Sequence, residues 1–253
     1  MKEKKLALIH QLARGFWLYE VPVFGILGWL LEPLYMRLYS KTKTVTVSGS
    51  TKKDLKSWGF KDITIVSEGI DFAPLGKPAV KEKDFTLIFV GRMKKAKKPQ
   101  DAVRAFRMIK KEIPSARLWM IGRGYINFKK TDSITHFGRI DSKKKHILMS
   151  RAHILLVPAV REGWGLVVTE ANALSTPAIS YDVPGLRDSV KHKRTGLLCK
   201  NNPKAMAGSA ISLFNDKKRL KEYTLNALKD SKNHTWDRSA KEFLSAMESA
   251  KTY

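Results

Sequence analysis

Cysteine is nearly missing from this chain: Cys199 is the only one in 253 residues, so no internal disulfide can form and stability must come from packing. Acidic side chains are scarce as well. Against 48 Lys and Arg stand 23 Asp and Glu, a formal net charge of +25 that favours phosphorylated ligands, nucleic acid or anionic lipid without choosing among them. The N-terminus has neither the short apolar core nor the small-residue cleavage site of a secretory signal, so the expected location is cytoplasmic, free or peripheral at a membrane. No uninterrupted apolar run reaches the about 20 residues of a spanning helix. The best candidate, 21–39, is broken by Pro22, Pro33, Glu32 and Arg37 and reads as interfacial or core-packed. The sequence also offers no Asp, Glu or His cluster with metal-ligand spacing, no internal repeat and no low-complexity tract.

What is present is a chain that is 43% hydrophobic, enough for a real core. Apolar or β-branched runs predict strands at 6–9, 45–48 and 63–66, with a short helix opening at Thr51 and stopped by Gly59. After Glu68-Gly69-Ile70-Asp71, the stretch 74–84 carries Pro74, Gly76 and Pro78 and reads as an interdomain linker. From residue 85 the pattern becomes regular. Strands are predicted at 86–90, 118–121, 134–137, 154–157, 178–181 and 196–198, with helices between most of them; the helix at 99–113 has Ala102, Val103, Phe106 and Ile109 on one face. The stretch 203–253 reads as helical throughout. Such alternation predicts an α/β fold, a parallel sheet flanked by helices, with ligands beyond the carboxyl ends of its strands.

The informative segment follows the predicted strand ending near Pro158 and runs from Arg161 through Glu162, Gly163, Trp164, Gly165 and Leu166 to Glu170. The glycines open a turn, and the helix after it points free amides back at the turn, an arrangement suited to phosphate. Glu162 falls in the loop and Glu170 two turns into the helix, where a carboxylate can accept hydrogen bonds from sugar hydroxyls. The plainer alternative makes Glu162 a solvated loop residue and Glu170 a helix residue paired with a lysine. Gly91-Arg92 and Lys97 follow another strand. A guanidinium fork and an ammonium suit a diphosphate there, although five of the seven residues from Arg92 to Lys98 are basic and most must be surface charge.

The order of these pieces resembles the C-terminal domain of glycosyltransferase family 4. Phe89-Val90-Gly91-Arg92, Lys97-Lys98-Pro99, 119–124, Phe137-Gly138-Arg139, 162–170, Thr176-Pro177-Ala178, Gly185 and Thr195-Gly196-Leu197-Leu198 occur in that family's sequence, over roughly residues 85–240. The resemblance implies a GT-B-type, Rossmann-like parallel sheet in a retaining enzyme that moves a sugar from a nucleotide diphosphosugar to a lipid or glycan acceptor. It implies that Gly91, Arg92, Lys97, Gly165 and Leu166 hold the donor diphosphate, that Glu162, Gly163 and Trp164 meet the donor sugar, and that Glu170 binds the ribose. It also implies that no cofactor or metal is required. Two departures are Asn172-Ala173-Leu174-Ser175, where a small residue and then glycine are commoner, and Lys98-Pro99 in place of the commoner Lys-Gly.

The front of the chain resembles the end of the same family's N-terminal domain, with His10 closing the strand that faces the donor sugar; His10 and Glu162 are the catalytic candidates. The expected organisation is a remnant of the acceptor-side domain at 1–73, the linker at 74–84 and a nucleotide-sugar-binding domain at 85–253 whose last helix packs back on the front. A full acceptor-side half needs on the order of 150 residues, so the expectation is that the isolated chain transfers no sugar until a separate chain supplies the missing portion. Trp17, Tyr19, Trp29 and Tyr35 in the front segment suit either an anionic membrane surface or an absent part of that domain.

Two other classes fit less well. Gly122-Arg123-Gly124 after a strand suggests a nicotinamide site but has Asn127 where the third glycine belongs. A basic nucleic-acid-binding module would use the clusters at 92–98, 143–145 and 191–194, but no zinc spacing, recognition helix or RNA-binding aromatic motif accompanies them.

Overall fold

A computed structural model describes residues 5–21, 23–128 and 131–250. The front of the chain forms β1 (Leu6–Leu8), α1 (Phe16–Glu20), α2 (Gly25–Arg37), β2 (Lys43–Thr46), α3 (Gly49–Ser57) and β3 (Ile63–Ile65). These strands make a parallel sheet in the order β1-β2-β3. Only β2 pairs with β1 among the described residues, which leaves the outer edge of β1 unpaired. The second strand runs over 43–46 rather than 45–48 because Ser48 leaves it to cap α3: its Oγ accepts from Thr51 N at 3.2 Å. Ser48 is therefore the cap, and the helix opens at Gly49, not at Thr51.

The larger unit contains β4 (Thr86–Val90), α4 (Pro99–Glu112), β5 (Arg117–Ile121), β6 (Ile134–His136), α5 (Ser142–Arg151), β7 (Ile154–Val157), α6 (Leu166–Ala173), β8 (Ala178–Tyr181), α7 (Leu186–Ser189) and β9 (Gly196–Cys199). The helices α8 (Pro203–Asn215), α9 (Lys217–Ser231) and α10 (Trp236–Glu248) follow. Six parallel strands lie in the order β6-β5-β4-β7-β8-β9, so the chain reverses its direction of travel across the sheet between β4 and β7. Leu87, Ile88, Leu155 and Ile179 are fully buried in the central strands, as expected for a sheet covered on both faces. α4 supplies Ala102, Val103, Phe106 and Ile109 to that core, and Pro99 opens it at the first turn, where a missing N–H costs nothing.

The tail is three helices rather than one. Asp216 and Thr235 interrupt the pattern because each side chain caps the next helix, accepting from Arg219 N at 3.0 Å and from Arg238 N at 3.3 Å. The last of the three crosses back to the front sheet. Ala246 of α10 is buried with Val45 and Val66, and Glu242 accepts from Ser67 N and Oγ at 2.7 and 2.8 Å. The stretch 74–84 is pinned along its length: Leu75 N donates to Ala173 O at 2.9 Å, and Lys81 Nζ donates to Ser150 O, Ser175 O and Thr176 Oγ1.

The described residues of the 21–39 segment are not core-packed. Val23 and Leu38 are 79% and 81% exposed, while the buried residues of α2 are Gly25 and Glu32. No helix among the described residues is long and apolar enough to cross a membrane.

Candidate functional site

At the carboxyl ends of β4 and β7, where the strand order reverses, lies a cleft of about 520 Å³. Such a switch point is where open parallel sheets bind ligands. On the front side the cleft is lined by His10 and Gln11, just past β1, and by Glu68, past β3. All ten residues singled out from the sequence line this one space, although they come from both sheets and from loops up to 160 residues apart.

Gly91 and Arg92 form one wall. Gly91 N donates to Ile121 O at 2.9 Å, and Gly122, at φ 146°, passes so close that a Cβ there would lie 1.8 Å from Gly91 O. Met93 N then donates to Arg123 O at 2.7 Å. The Gly122-Arg123-Gly124 segment therefore has a packing role, buttressing the Arg92 loop, and does not line the cleft. The Arg92 side chain is exposed and makes no hydrogen bond or ion pair among the described residues.

Lys97 sits on a short 3₁₀ turn, and its Nζ bonds Glu162 Oε1. Glu162 is only 14% exposed, so it is not a solvated loop residue. Its backbone is fixed by Glu162 N donating to Pro184 O at 3.1 Å and by Gly185, at φ 82°, whose added Cβ would lie 2.1 Å from Glu162 O. Gly163 packs against the front unit with equal economy: a Cβ would meet His10 O at 2.8 Å. Gly165 takes φ 101° and precedes α6, whose start no side chain caps. The first amides of α6, at Leu166 and Val167, are therefore left without a side-chain cap at residues that line the cleft, in a positive helix-end field.

Trp164 is held by its own indole N–H, donated to Thr169 Oγ1 at 2.9 Å, and by its ring lying 5.4 Å from that of His234. Glu170 Oε2 accepts from Lys145 Nζ at 2.9 Å, the lysine pairing that the plainer reading of the sequence anticipates. Both partners are about a fifth exposed and the carboxylate still lines the cleft. His146, beside Lys145 and with its ring tilted 38° against that of Phe72 at 4.1 Å between centres, is held below its ordinary pKa first by burial and then by the Lys145 charge.

His10 is 59% exposed, and its Nδ1 lies 3.0 Å from Glu68 Oε1. Glu68 and Lys145 are the two site-related residues that sequence reasoning misses. Glu68 is 58 positions from His10, and the partnership is created by the parallel register of β1, β2 and β3, which no local pattern announces. Two cross-unit links hold the cleft's shape: Arg161 pairs with Asp54, and Ser50 N donates to Asp188 Oδ1 at 3.1 Å while Asp188 Oδ2 accepts from Gly185 N at 3.2 Å.

Chemically, the cleft places two cations and a helix start on one wall, an arrangement suited to an anion, with carboxylates at two positions along it. A bound anion would compete with Glu162 for Lys97 and free that carboxylate to accept hydrogen bonds from hydroxyl groups. No group of three or more His, Cys, Asp or Glu side chains that could hold a metal ion occurs among the described residues.

Comparison with known proteins places these features in context. Residues 75–230 match the family model described as glycosyl transferases group 1. The chain is 29% identical over 166 residues to glycogen synthase of Mycobacterium tuberculosis, an alignment covering 61% of this chain and 40% of that protein, so the chain spans less than half of that relative's length. Among solved structures, sucrose-phosphate synthase from Thermosynechococcus elongatus superposes with a TM-score of 0.78 at 19% identity, over 96% of this chain and 67% of that one. Anabaena HepE in complex with UDP and glucose superposes with a TM-score of 0.74 at 11% identity, over 96% and 71%. Both likenesses are of fold, and the fold they share is GT-B.

Proposed function

The chain belongs to the glycosyl transferases group 1 family, and from that premise we propose that its cleft binds a nucleotide diphosphosugar for retaining transfer, in the manner of family 4, to a lipid or glycan acceptor. The observation that carries this reading is the convergence of the Arg92 loop, the Lys97–Glu162 pair, the start of α6 and Glu170 in one cleft at the switch point of the sheet.

In this reading Arg92, Lys97 and the Leu166 amide hold the diphosphate and stabilise the negative charge that builds on it as the bond to the anomeric carbon breaks. Glu162, released by Lys97, accepts from the sugar hydroxyls beside Gly163 and Trp164. Glu170 holds the ribose. The acceptor hydroxyl attacks the same face from which the diphosphate leaves, its proton passing to the departing phosphate oxygen, so that one C–O bond forms as another breaks and configuration is kept. His10, braced by Glu68, faces the donor sugar from the front unit. Acceptor selection on this reading falls to the acceptor-side surface that faces the cleft from the front unit.

Titration calorimetry with uridine, guanosine and adenosine diphosphosugars tests the site. At least one should bind, and Arg92→Ala and Glu170→Ala should each weaken it at least tenfold, about 1.4 kcal/mol. Unchanged affinity in both variants, with folding intact, would remove the assignment.

A further inference from the structure

We infer that the α1–α2 hairpin is a docking surface for an anionic lipid bilayer, independent of what the cleft binds. The first observation is that α2 is built inside out. Its inward stripe is Gly25, Gly28 and Glu32, at the i, i+3, i+7 spacing of one helix face, continued by Met36. The glycines are there because α1 lies on them: a Cβ on Gly25 would meet Trp17 O at 2.3 Å, and one on Gly28 would meet the Trp17 ring at 2.6 Å. Glu32, 2% exposed, accepts from Ala13 N and Arg14 N and so ties the helix to the turn that precedes α1. With glycine and a carboxylate filling the buried face, the large apolar side chains have only the outside left. Phe24, Leu27, Leu30, Leu31, Leu34 and Leu38 are all more than half exposed.

The second observation concerns charge and selects the partner. Residues 11–42 contain two carboxylates, Glu20 and Glu32, and both are turned inward: Glu32 as above, and Glu20 onto Ala96 N at 3.3 Å and Lys94 Nζ at 3.6 Å. The outward surface therefore presents apolar and aromatic groups, Trp29 and Tyr35 among them, with Arg37 at its end and no free carboxylate, on a molecule of net charge +25. A helix that fits a protein groove shows one apolar stripe at i, i+3, i+4, i+7. Here apolar groups cover every face that does not touch the protein, which suits immersion in the headgroup and acyl boundary, with interfacial aromatics and attraction to anionic lipid. At 13 residues, about 20 Å long, α2 is too short to span a hydrocarbon core of about 30 Å, so it lies along the surface.

Cosedimentation of the full chain with vesicles of phosphatidylcholine, with and without phosphatidylglycerol, tests this. Binding should be at least tenfold stronger with phosphatidylglycerol and should fall at least tenfold in the double variant Phe24→Asp, Leu31→Asp, whose sites are exposed. Brominated acyl chains should quench tryptophan fluorescence in the unaltered protein, and the quenched fraction should shrink in Trp29→Phe, a reading that does not depend on the double variant folding. Failure to sediment with anionic vesicles would overturn the inference. So would quenching unaffected by Trp29→Phe, or a dimer in sedimentation velocity that the double variant dissolves, which would make the face a contact between protein copies.

Discussion

Glu170 is the residue on which the structural and the chemical readings meet. Its pairing with Lys145 is an ordinary half-buried contact, yet the carboxylate lines the cleft beside the start of α6. The two accounts separate on substitution. If Lys145 only steadies a structural glutamate, Lys145→Met and Glu170→Ala should disturb nucleotide-sugar binding alike; on the ribose-binding account, Lys145→Met should change affinity by less than about threefold while Glu170→Ala costs at least tenfold. Competition calorimetry on both variants decides. A second prediction at this scale concerns His153, whose Nδ1 accepts from Thr86 N at 3.1 Å and whose pKa is pushed down from 6.5 to about 4, first by burial and then by the Lys81 charge. The folded state resists a proton that the unfolded state accepts, so stability should be steady above pH 6.5, fall between 6.5 and 4, and level off below. The full shift corresponds to about 3 kcal/mol, reduced by solvent access at a half-buried ring to on the order of 1–2 kcal/mol. Urea midpoints against pH should show this step, and His153→Asn, which keeps an acceptor for Thr86 N, should flatten it.

Among the elements, the strands of the large sheet were readable to within a residue, the central ones because they are short apolar runs buried on both faces, as Thr86–Val90 and Ile154–Val157 show, while the edge strand Ile134–His136 buries only Ile134. The glycine turn before α6 was equally readable, since Gly163 and Gly165 announce it. What the sequence could not announce is long-range bracing. Gly185 stands in a different loop, and its lack of a side chain is what lets the Glu162 carbonyl approach. Gly185→Ala, at φ 82°, should therefore cost about 2–3 kcal/mol and weaken nucleotide-sugar binding by moving Glu162. Gly208→Ala is the matching opposite: that glycine is exposed inside α8 with nothing within 4 Å of a new Cβ, and the change should stabilise by about 0.5–1 kcal/mol. Thermal melts of the two variants, with binding measured alongside, check both. The inside-out character of α2 was likewise hidden, because a run rich in Leu, Ile and Trp reads as interfacial or core-packed alike until the structure shows Glu32 occupying the buried face.

For the whole molecule, two parallel sheets meet at a cleft, and α10 crosses back to bind them together through Glu242 and Ser67. The front sheet has an unpaired edge at β1 among the described residues, and the chain spans 40% of glycogen synthase of Mycobacterium tuberculosis. On the proposed reading, donor binding draws on the large unit together with His10 of the front unit. The central claim, that this cleft is a donor site, is tested most directly by a crystal structure of the chain with a nucleotide diphosphosugar that calorimetry has shown to bind. The account predicts the diphosphate against Arg92, Lys97 and the Leu166 amide, with the ribose on Glu170. Density for the nucleotide on another surface, such as the basic stretch 143–145, with the cleft empty, would contradict it.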